Sequence, residues 1–375
     1  MKDFNPGSDW TAEELLEYLV DKMSSGGKGQ AQYKFGKHKG ALAQCWEVFH
    51  LRDFGNYLIT EEKTLGDRAQ KYKDNKRTLE KRGERVIVLN PGGLFPDILG
   101  DTDQLNPLDV IVDSLHRPGG LRDIPDDLRE LCTQLLPEPA GQTNNDTYWR
   151  EGARKIKGDA ILLECIVEGY DATLEAVALL IEDRKHLEQN LRWVVGVDMK
   201  GNPLPEGPMP LDQADWASNH APEDLKAFGD LFRAHASNGL ALMTNEDSKT
   251  FDSFVSSAQQ ALAPYAYGSL STSMRRSSFS LRDMRNPKKP TTIFIVPDAS
   301  RMESHQKYVG LTLFAILTAL KRHPNKRWPV HLILDEVSNY FVQGLESLLT
   351  WGRGFGIRLL LVFQDFAAGL RRGAG

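Results

Sequence analysis

Cysteine is scarce: the 375 residues contain three, Cys45, Cys132 and Cys165, far apart and without CxxC spacing. That excludes a disulfide framework and a zinc site built on paired thiols, and each thiol reads as a small buried apolar side chain. A long hydrophobic run is also missing. No window approaches the roughly 18–20 uninterrupted apolar residues of a membrane-spanning helix. The start, MKDFNPGSDW, has no basic segment followed by an apolar core, so no signal peptide is visible. Nor does one sign of charge dominate, since 46 Lys and Arg against 51 Asp and Glu give a formal charge of -5. A polycationic nucleic-acid binder is thereby excluded, and any surface that grips phosphates must be a local stripe. These features suit a reducing cytoplasm. The end, GLRRGAG, stops soon after a strand-like run without a covering helix, which reads as a fragment or a truncated gene product.

What is present is length for two or three domains and, at 41% hydrophobic residues, enough apolar surface for a substantial core. The organising stretch is residues 328–366. The apolar run Pro329 to Leu334 closes on Asp335-Glu336, a helical pattern follows, and Ile357 to Phe363 closes on Gln364. Strand, helix, strand predicts two neighbouring parallel strands whose polar ends emerge at one edge, where open α/β sheets hold ligands. Two acids there suit nucleotide hydrolysis: one carboxylate helps hold the magnesium water shell and the next orients or deprotonates the attacking water. Taken alone, the pair also fits a buried strand that merely ends in two solvated acids.

Earlier in the chain, residues 11–23 place Leu15, Leu16, Leu19 and Val20 on a short helix opened by the capping box Thr11 and Glu14. SSGGKGQ follows a helix and lacks the first glycine of a P-loop, so it reads as a flexible linker. Next, FGKHKG precedes the helical pattern ALAQCWEVFHL. A phosphate site needs backbone N–H groups converging at a helix N-terminus with a lysine beside them. Gly36, Lys39 and Gly40 supply parts of this, whereas the Cβ of His38 crowds it, so local sequence favours a solvated basic loop. NYLIT (56–60) and RVIVL (85–89) read as strands on either side of a charged helix from Lys63 to Arg82, a βαβ arrangement.

From Asp146 to Leu191 the apolar spacing becomes helical, Pro203 to Pro210 reads as a loop, and residues 221–236 and 250–262 are helical again. Residues 142–262 are therefore expected to be an all-helical insertion. Arg275, Arg276, Arg282 and Arg285, followed by Pro287-Lys288-Lys289-Pro290, form the densest positive charge in the chain. Such a segment can neutralise phosphates, and it fits as well a solvated loop whose arginines pair with Asp283. A strand over Thr291 to Val296 and an apolar helix over Tyr308 to Arg322 then lead back to the Asp335 strand, so the sheet resumes.

The run SSFSLRDMRNPKKPTTIFIVPDASRMESHQKYVGLTLFAILTAL, then LILDE, a helix and GRGFGIRLLLVFQD, resembles the type IV secretion system coupling proteins, the TraG/TraD-type ATPases of bacterial conjugation. Asn106-Pro107-Leu108-Asp109 resembles the family's NPLD segment and residues 148–154 the start of its helical domain, so the resemblance extends from about Phe35 to Phe366. It implies an α/β fold, a RecA-like P-loop NTPase parallel sheet with an inserted all-helical domain. Residues 1–30 would be an N-terminal helix and linker, 31–141 and 263–375 the two parts of the nucleotide-binding domain, and 142–262 the insertion. It further implies ATP and Mg2+ as cofactors, and single-stranded DNA, its relaxase and secretion-channel proteins as partners. The implied assembly is a homo-hexamer in the cytoplasm or at the cytoplasmic face of the bacterial inner membrane, membrane-associated through other subunits or a missing segment.

By the same resemblance Asp335 and Glu336 are the Walker B acids, Asp335 toward magnesium and Glu336 toward water. Gln364 is the polar residue that senses the γ-phosphate, and Arg353 is the arginine offered to the neighbouring subunit's nucleotide, a role worth ~10³ to 10⁵ in rate where it operates. Locally, Arg353 also fits a helix C-terminal cation beside a glycine cap. Lys39 lies 22 positions before Glu61, so GKHKG occupies the P-loop's place. His38 stands where the family has glycine, and the Asp-Pro and glycine of the strand end after NYLIT are lost. The expectation is an ATP-driven coupling protein, with a docking subunit without hydrolysis as the alternative. An unrelated small-molecule P-loop enzyme would instead show a closed pocket near Gln364 and no salt-sensitive affinity for single-stranded DNA.

Overall fold

In the computed structural model, which describes residues 76–94, 96–138, 144–244, 248–286, 288–334, 341–342 and 344–361, a helix over residues 76–81 leads into the first strand. The helix stops at Gly83, whose φ of +77° is left-handed, so the N–H groups of Gly83 and Glu84 return to the carbonyls of Glu80 and Leu79. Strand β1 (Arg85–Leu89) follows. Its β-branched run suits a pleated surface, and Ile87, Val88 and Leu89 are almost fully buried. The expected helix over 11–23, the strand over 56–60, Gly36, Lys39 and Gly40, and Cys45 lie outside the described residues.

Strand β2 (Thr291–Ile295) pairs with β1 in parallel, in register from Arg85 with Thr291 to Leu89 with Ile295. Residues 90–290 lie between these hydrogen-bonded neighbours in sequence, and the longer elements described among them are helices: α1 (Pro96–Leu99), α2 (Asp109–His116), α3 (Ile124–Leu135), α4 (Asn144–Glu168), α5 (Leu174–Glu182), α6 (Arg184–Val195), α7 (Pro222–Thr244), α8 (Ser248–Ala266) and α9 (Gly268–Ser273). Helix α8 lies along α4 and α5, and α6 along α7. The helical pattern around residues 174–195 is divided in two by short polar side chains that accept orphan N–H groups. Thr173 Oγ1 accepts from Ala176 at 3.0 Å to open α5, and Asp183 accepts from His186 at 3.0 Å to open α6. Helix α7 outruns its expected end because Gly239, Leu240 and Met243 continue its buried stripe.

After β2 comes α10 (Met302–Arg322), which begins ahead of the expected Tyr308 and packs on α2 and α3. Strand β3 (Val330–Leu334) then pairs in parallel with β4 (Ile357–Leu361), with α11 (Leu345–Trp351) between them. The α/β expectation is met: every described strand pair is parallel, and among the described residues the strands form two separate pairs. One apolar core runs from β1 through the helical block to α10 and β4, each fully buried Leu, Ile or Phe in it contributing about 1.5–3 kcal/mol. Cys132 and Cys165 are buried free thiols, and burial pushes the Cys132 thiol up to about 11, away from reactivity. Among the described residues no helix is long and apolar enough to cross a membrane.

Candidate functional site

The pairing of β3 with β4 sets Leu334 beside Leu361 at the carboxyl ends of the two strands. In sequence, Asp335-Glu336 leaves directly from the first end and Gln364 follows the second by three residues. Asp335, Glu336 and Gln364 themselves lie outside the described residues, but the two strand ends that carry them are adjacent. This is the crevice-forming edge of a parallel sheet.

Arg353 is exposed in the turn Gly352–Phe355 at the amino end of β4. At about 3.3 Å rise per residue, the length of β4 separates Arg353 from Leu361 by more than about 13 Å. The turn ends at Gly356, with φ +72° and a Cβ position only 2.1 Å from the carbonyl oxygen of Asn325, so no side chain fits there.

At the carboxyl end of β1, the buried Asn90 folds the chain back on itself, its side chain donating to the Leu94 carbonyl at 2.8 Å and accepting from the Leu94 N–H at 3.1 Å. Gly92 comes so close to the segment that follows β2 that a Cβ there would lie 3.0 Å from that of Asp298. Asp298 accepts from the Ser300 N–H at 2.9 Å and from the Ser300 hydroxyl at 2.7 Å, which holds its carboxyl below the usual range. The Asp298 N–H donates to His305 Nδ1 at 2.9 Å, fixing the buried imidazole as a neutral acceptor on that side, in keeping with its lowered pKa from burial.

The four arginines of the basic segment do not act as one group. Arg275 pairs with Glu175 at 2.7 Å, Arg276 with Asp171 at 3.7 Å and Arg282 with Asp113 at 3.0 Å. All three acids belong to the helical block, and Arg282 turns to Asp113 where Asp283 was expected. Arg285 turns inward, donating to the carbonyls of Asn325 at 2.8 Å and Phe355 at 2.6 Å, and burial lowers its pKa. Residues 275–285 are thus a strap, fastened to the helical block at one end and to the turn before β4 at the other.

The Asn106-Pro107-Leu108-Asp109 segment is the knot beneath the strap. Asn106 is fully buried, donates to the Ala172 carbonyl at 2.7 Å and accepts from the Leu108 N–H at 3.0 Å, while its own N–H donates to Ser277 Oγ at 2.9 Å. Asp109 beside it is pushed up to about 6 by burial, against the opposing hydrogen bond from Ser277. Sequence reasoning singled out this motif without assigning its contacts.

A second junction was missed entirely. Gln134 of α3 is buried and donates Nε2–H to the Phe341 carbonyl at 3.1 Å. A Cβ on Gly310 of α10 would lie 2.1 Å from the same oxygen. The chain that leaves β3 through the acid pair is therefore held at Phe341 in the seam between α3 and α10. The available signal was Gly310 itself, because a glycine inside an apolar helix costs ~1 kcal/mol and usually marks a close approach.

Residues 219–370 match the family model described as type IV secretory system conjugative DNA transfer. That segment, about two fifths of the chain, is similar to the type IV conjugative DNA-transfer family. The match spans helices α7 to α11, the strap, strands β2, β3 and β4, and Asp335, Glu336, Arg353 and Gln364. No curated protein matches the chain. Among solved structures, the unbound monoclinic form of the bacterial conjugative coupling protein TrwBdeltaN70 is 14% identical, with 82% of this chain and 64% of that one covered and a TM-score of 0.46. The plasmid coupling protein TrwB in complex with ADP and Mg2+ is 14% identical over 79% of this chain and 61% of that one, at a TM-score of 0.43. TrwB with the non-hydrolysable ATP analogue ADPNP is 15% identical over 79% and 61%, also at 0.43. The chain thus spans about three fifths of the length of those coupling proteins.

Proposed function

We infer that this protein is an ATP-driven coupling protein of a type IV secretion system that acts in conjugative DNA transfer. It would recruit relaxase-bound single-stranded DNA and pump it to the transfer channel. The observation that carries the reading is the family match over residues 219–370, which takes in the acid pair, Arg353 and Gln364. The adjacency of Leu334 and Leu361 supports it, since it brings the strand ends before Asp335 and Gln364 together. That edge fits a magnesium nucleotide in donor chemistry, oxygen ligands suiting Mg2+. Asp335 would hold the ion, Glu336 would take the proton of the attacking water, Gln364 would bond the γ-phosphate, and Lys39 with the Gly36 and Gly40 backbone would bind the other phosphates. Bound ATP would supply the phosphoryl group whose transfer to water drives the cycle.

Arg353 lies too far along β4 from Leu361 to serve its own subunit's acid pair, which supports its role toward a neighbouring copy in a ring, a homo-hexamer in the family pattern. We take residues 31–141 and 263–375 as the two parts of the nucleotide-binding domain and 142–262 as the insertion, with work done at the cytoplasmic side of the inner membrane. The test is ATP hydrolysis by the purified chain beside Glu336→Gln and Lys39→Ala. Hydrolysis lost in Glu336→Gln, and ATP affinity lost in Lys39→Ala, support the motor. No ATP binding at millimolar concentration would replace it with a docking subunit.

A further inference from the structure

The basic strap is the strongest charge feature outside the nucleotide edge. Residues 263–290 carry six basic side chains and one acidic, whereas residues 142–262 carry twenty acidic and eleven basic. The fold lays Arg275 and Arg276 of the first against Glu175 and Asp171 of the second, and Arg282 against Asp113 of α2. Arg275, Arg276 and Arg282 keep 59%, 72% and 45% of their side-chain surface exposed, so they are reachable from solvent. Each nevertheless faces a carboxylate that would repel a phosphate arriving at the same guanidinium. Two of those carboxylates are themselves held: Glu175 accepts from Ser271 Oγ at 2.9 Å, and Asp113 accepts from the Tyr170 hydroxyl at 2.8 Å. The Tyr170 ring in turn stacks on His116 at 5.2 Å.

We propose that Asp113, Asp171 and Glu175 form a built-in mask over the phosphate-binding arginines of the strap, so that single-stranded DNA must displace three internal ion pairs to engage Arg275, Arg276 and Arg282. The mask lowers affinity for stray nucleic acid. It also ties binding to the position of the helical block, because α2, the turn at 169–171 and α5 carry the acids while the strap continues into β2. The inference rests on the DNA-handling reading above and deepens it by naming how the contact is regulated.

The experiment is fluorescence anisotropy of the full chain with a labelled single-stranded oligonucleotide of mixed sequence, at about 50 mM and about 200 mM salt. The variant Asp113→Asn/Asp171→Asn/Glu175→Gln is expected to bind about tenfold tighter than the parent, or about 1.4 kcal/mol, the scale set by three exposed pairs of small individual worth. A control with the same charge change at exposed positions elsewhere, Glu182→Gln/Glu206→Gln/Asp212→Asn, is expected to stay close to the parent. Adding Arg275→Ala/Arg276→Ala/Arg282→Ala to the first variant is expected to abolish the gain. Glu175→Gln alone, which leaves the Tyr170 contact intact, should give roughly twofold and serves if the triple variant does not fold. Parent binding with no gain in the variant overturns the mask and leaves the DNA-handling reading standing. An equal gain in the control, or a gain that survives removal of the arginines, also overturns the mask. Absence of binding by parent and variant alike at the lower salt overturns both.

Discussion

Gln134 and Phe341 are joined by a hydrogen bond from the Gln134 side-chain amide to the Phe341 carbonyl at 3.1 Å, across a gap that Gly310 keeps open. A methyl group on Gly310 would meet the carbonyl oxygen at 2.1 Å and Gln134 Nε2 at 2.7 Å. Gly310→Ala should therefore push the Phe341 segment out of the α3–α10 seam and cost about 1–3 kcal/mol, as overpacking does. Denaturant unfolding measures the loss. Gln134→Ala, which removes the hydrogen bond to the Phe341 carbonyl without crowding the seam, should cost less, about 1 kcal/mol, and equal losses in the two variants would count against the close approach.

Burial pushes the Asp159 carboxyl up to about 7 from an ordinary 3.8, with Lys155 pulling the other way. His235 Nδ1 stands 3.9 Å from it, but burial lowers the pKa of that imidazole, so it does not neutralise the acid at pH 7. With the folded pKa above the unfolded one, the native state keeps a proton that the unfolded chain gives up. Stability is then fullest below about pH 4 and declines as the pH climbs toward about 7. Asp159→Asn should flatten that slope. It should match the parent near pH 4 and exceed it at pH 8 by up to about 4 kcal/mol, at ~1.36 kcal/mol per unit, as read from thermal unfolding across pH.

Arg322 at the end of α10 forms a nearly buried ion pair with Asp127 of α3 and also donates to the Val110 carbonyl at 2.8 Å. Ser114 donates to the same Asp127 carboxylate at 3.0 Å. Removing one partner strands the other charge, so Asp127→Ala should lose about 3–5 kcal/mol. Replacing both residues with apolar ones of similar volume should recover much of that loss in denaturant unfolding.

Arg285 offers a contrast with its three neighbours in the strap. Because its guanidinium is spent on the Asn325 and Phe355 carbonyls, Arg285→Ala should destabilise by about 1–3 kcal/mol through unpaired carbonyls. The salt dependence of oligonucleotide binding should be unchanged. Arg282→Ala should do the reverse, with stability within about 1 kcal/mol of the parent and a shallower salt slope.

The strands were legible because RVIVL, TTIFI, VHLIL and IRLLL are short β-rich runs with polar or turn-forming flanks, and the parallel pairing of β3 with β4 followed from the helix between them, whereas the pairing of β1 with β2 across residues 90–290 was not read from the sequence. The split at Asp183 was hidden inside an unbroken helical periodicity, since a capping aspartate and a solvated one look alike until the backbone turns. The partners of the arginines could not be read at all. Asp113, Asp171 and Glu175 are about 100 residues or more from the side chains they face, and which acid meets which cation depends on how α2 and α5 are stacked. The same holds for Asn106, Gln134 and Gly310, whose work is done across elements. Among the site residues, Arg353 and the four arginines have places in the fold, while the acid pair and Gln364 are known through the strand ends that lead to them.

The parallel pairing of β1 with β2 has a consequence for biosynthesis. At about 5–20 residues per second, a ribosome that has just released β1 needs roughly 10–40 s to deliver its partner, with residues 90–290 emerging in the meantime. The nascent protein has to hold an almost wholly apolar ribbon through that interval. The helices that emerge first are local structures that form fast, so the block between the strands can be complete before the ribbon finds its mate. Shortening that block, or slowing its folding, would show first as aggregation during synthesis and only later as lost activity.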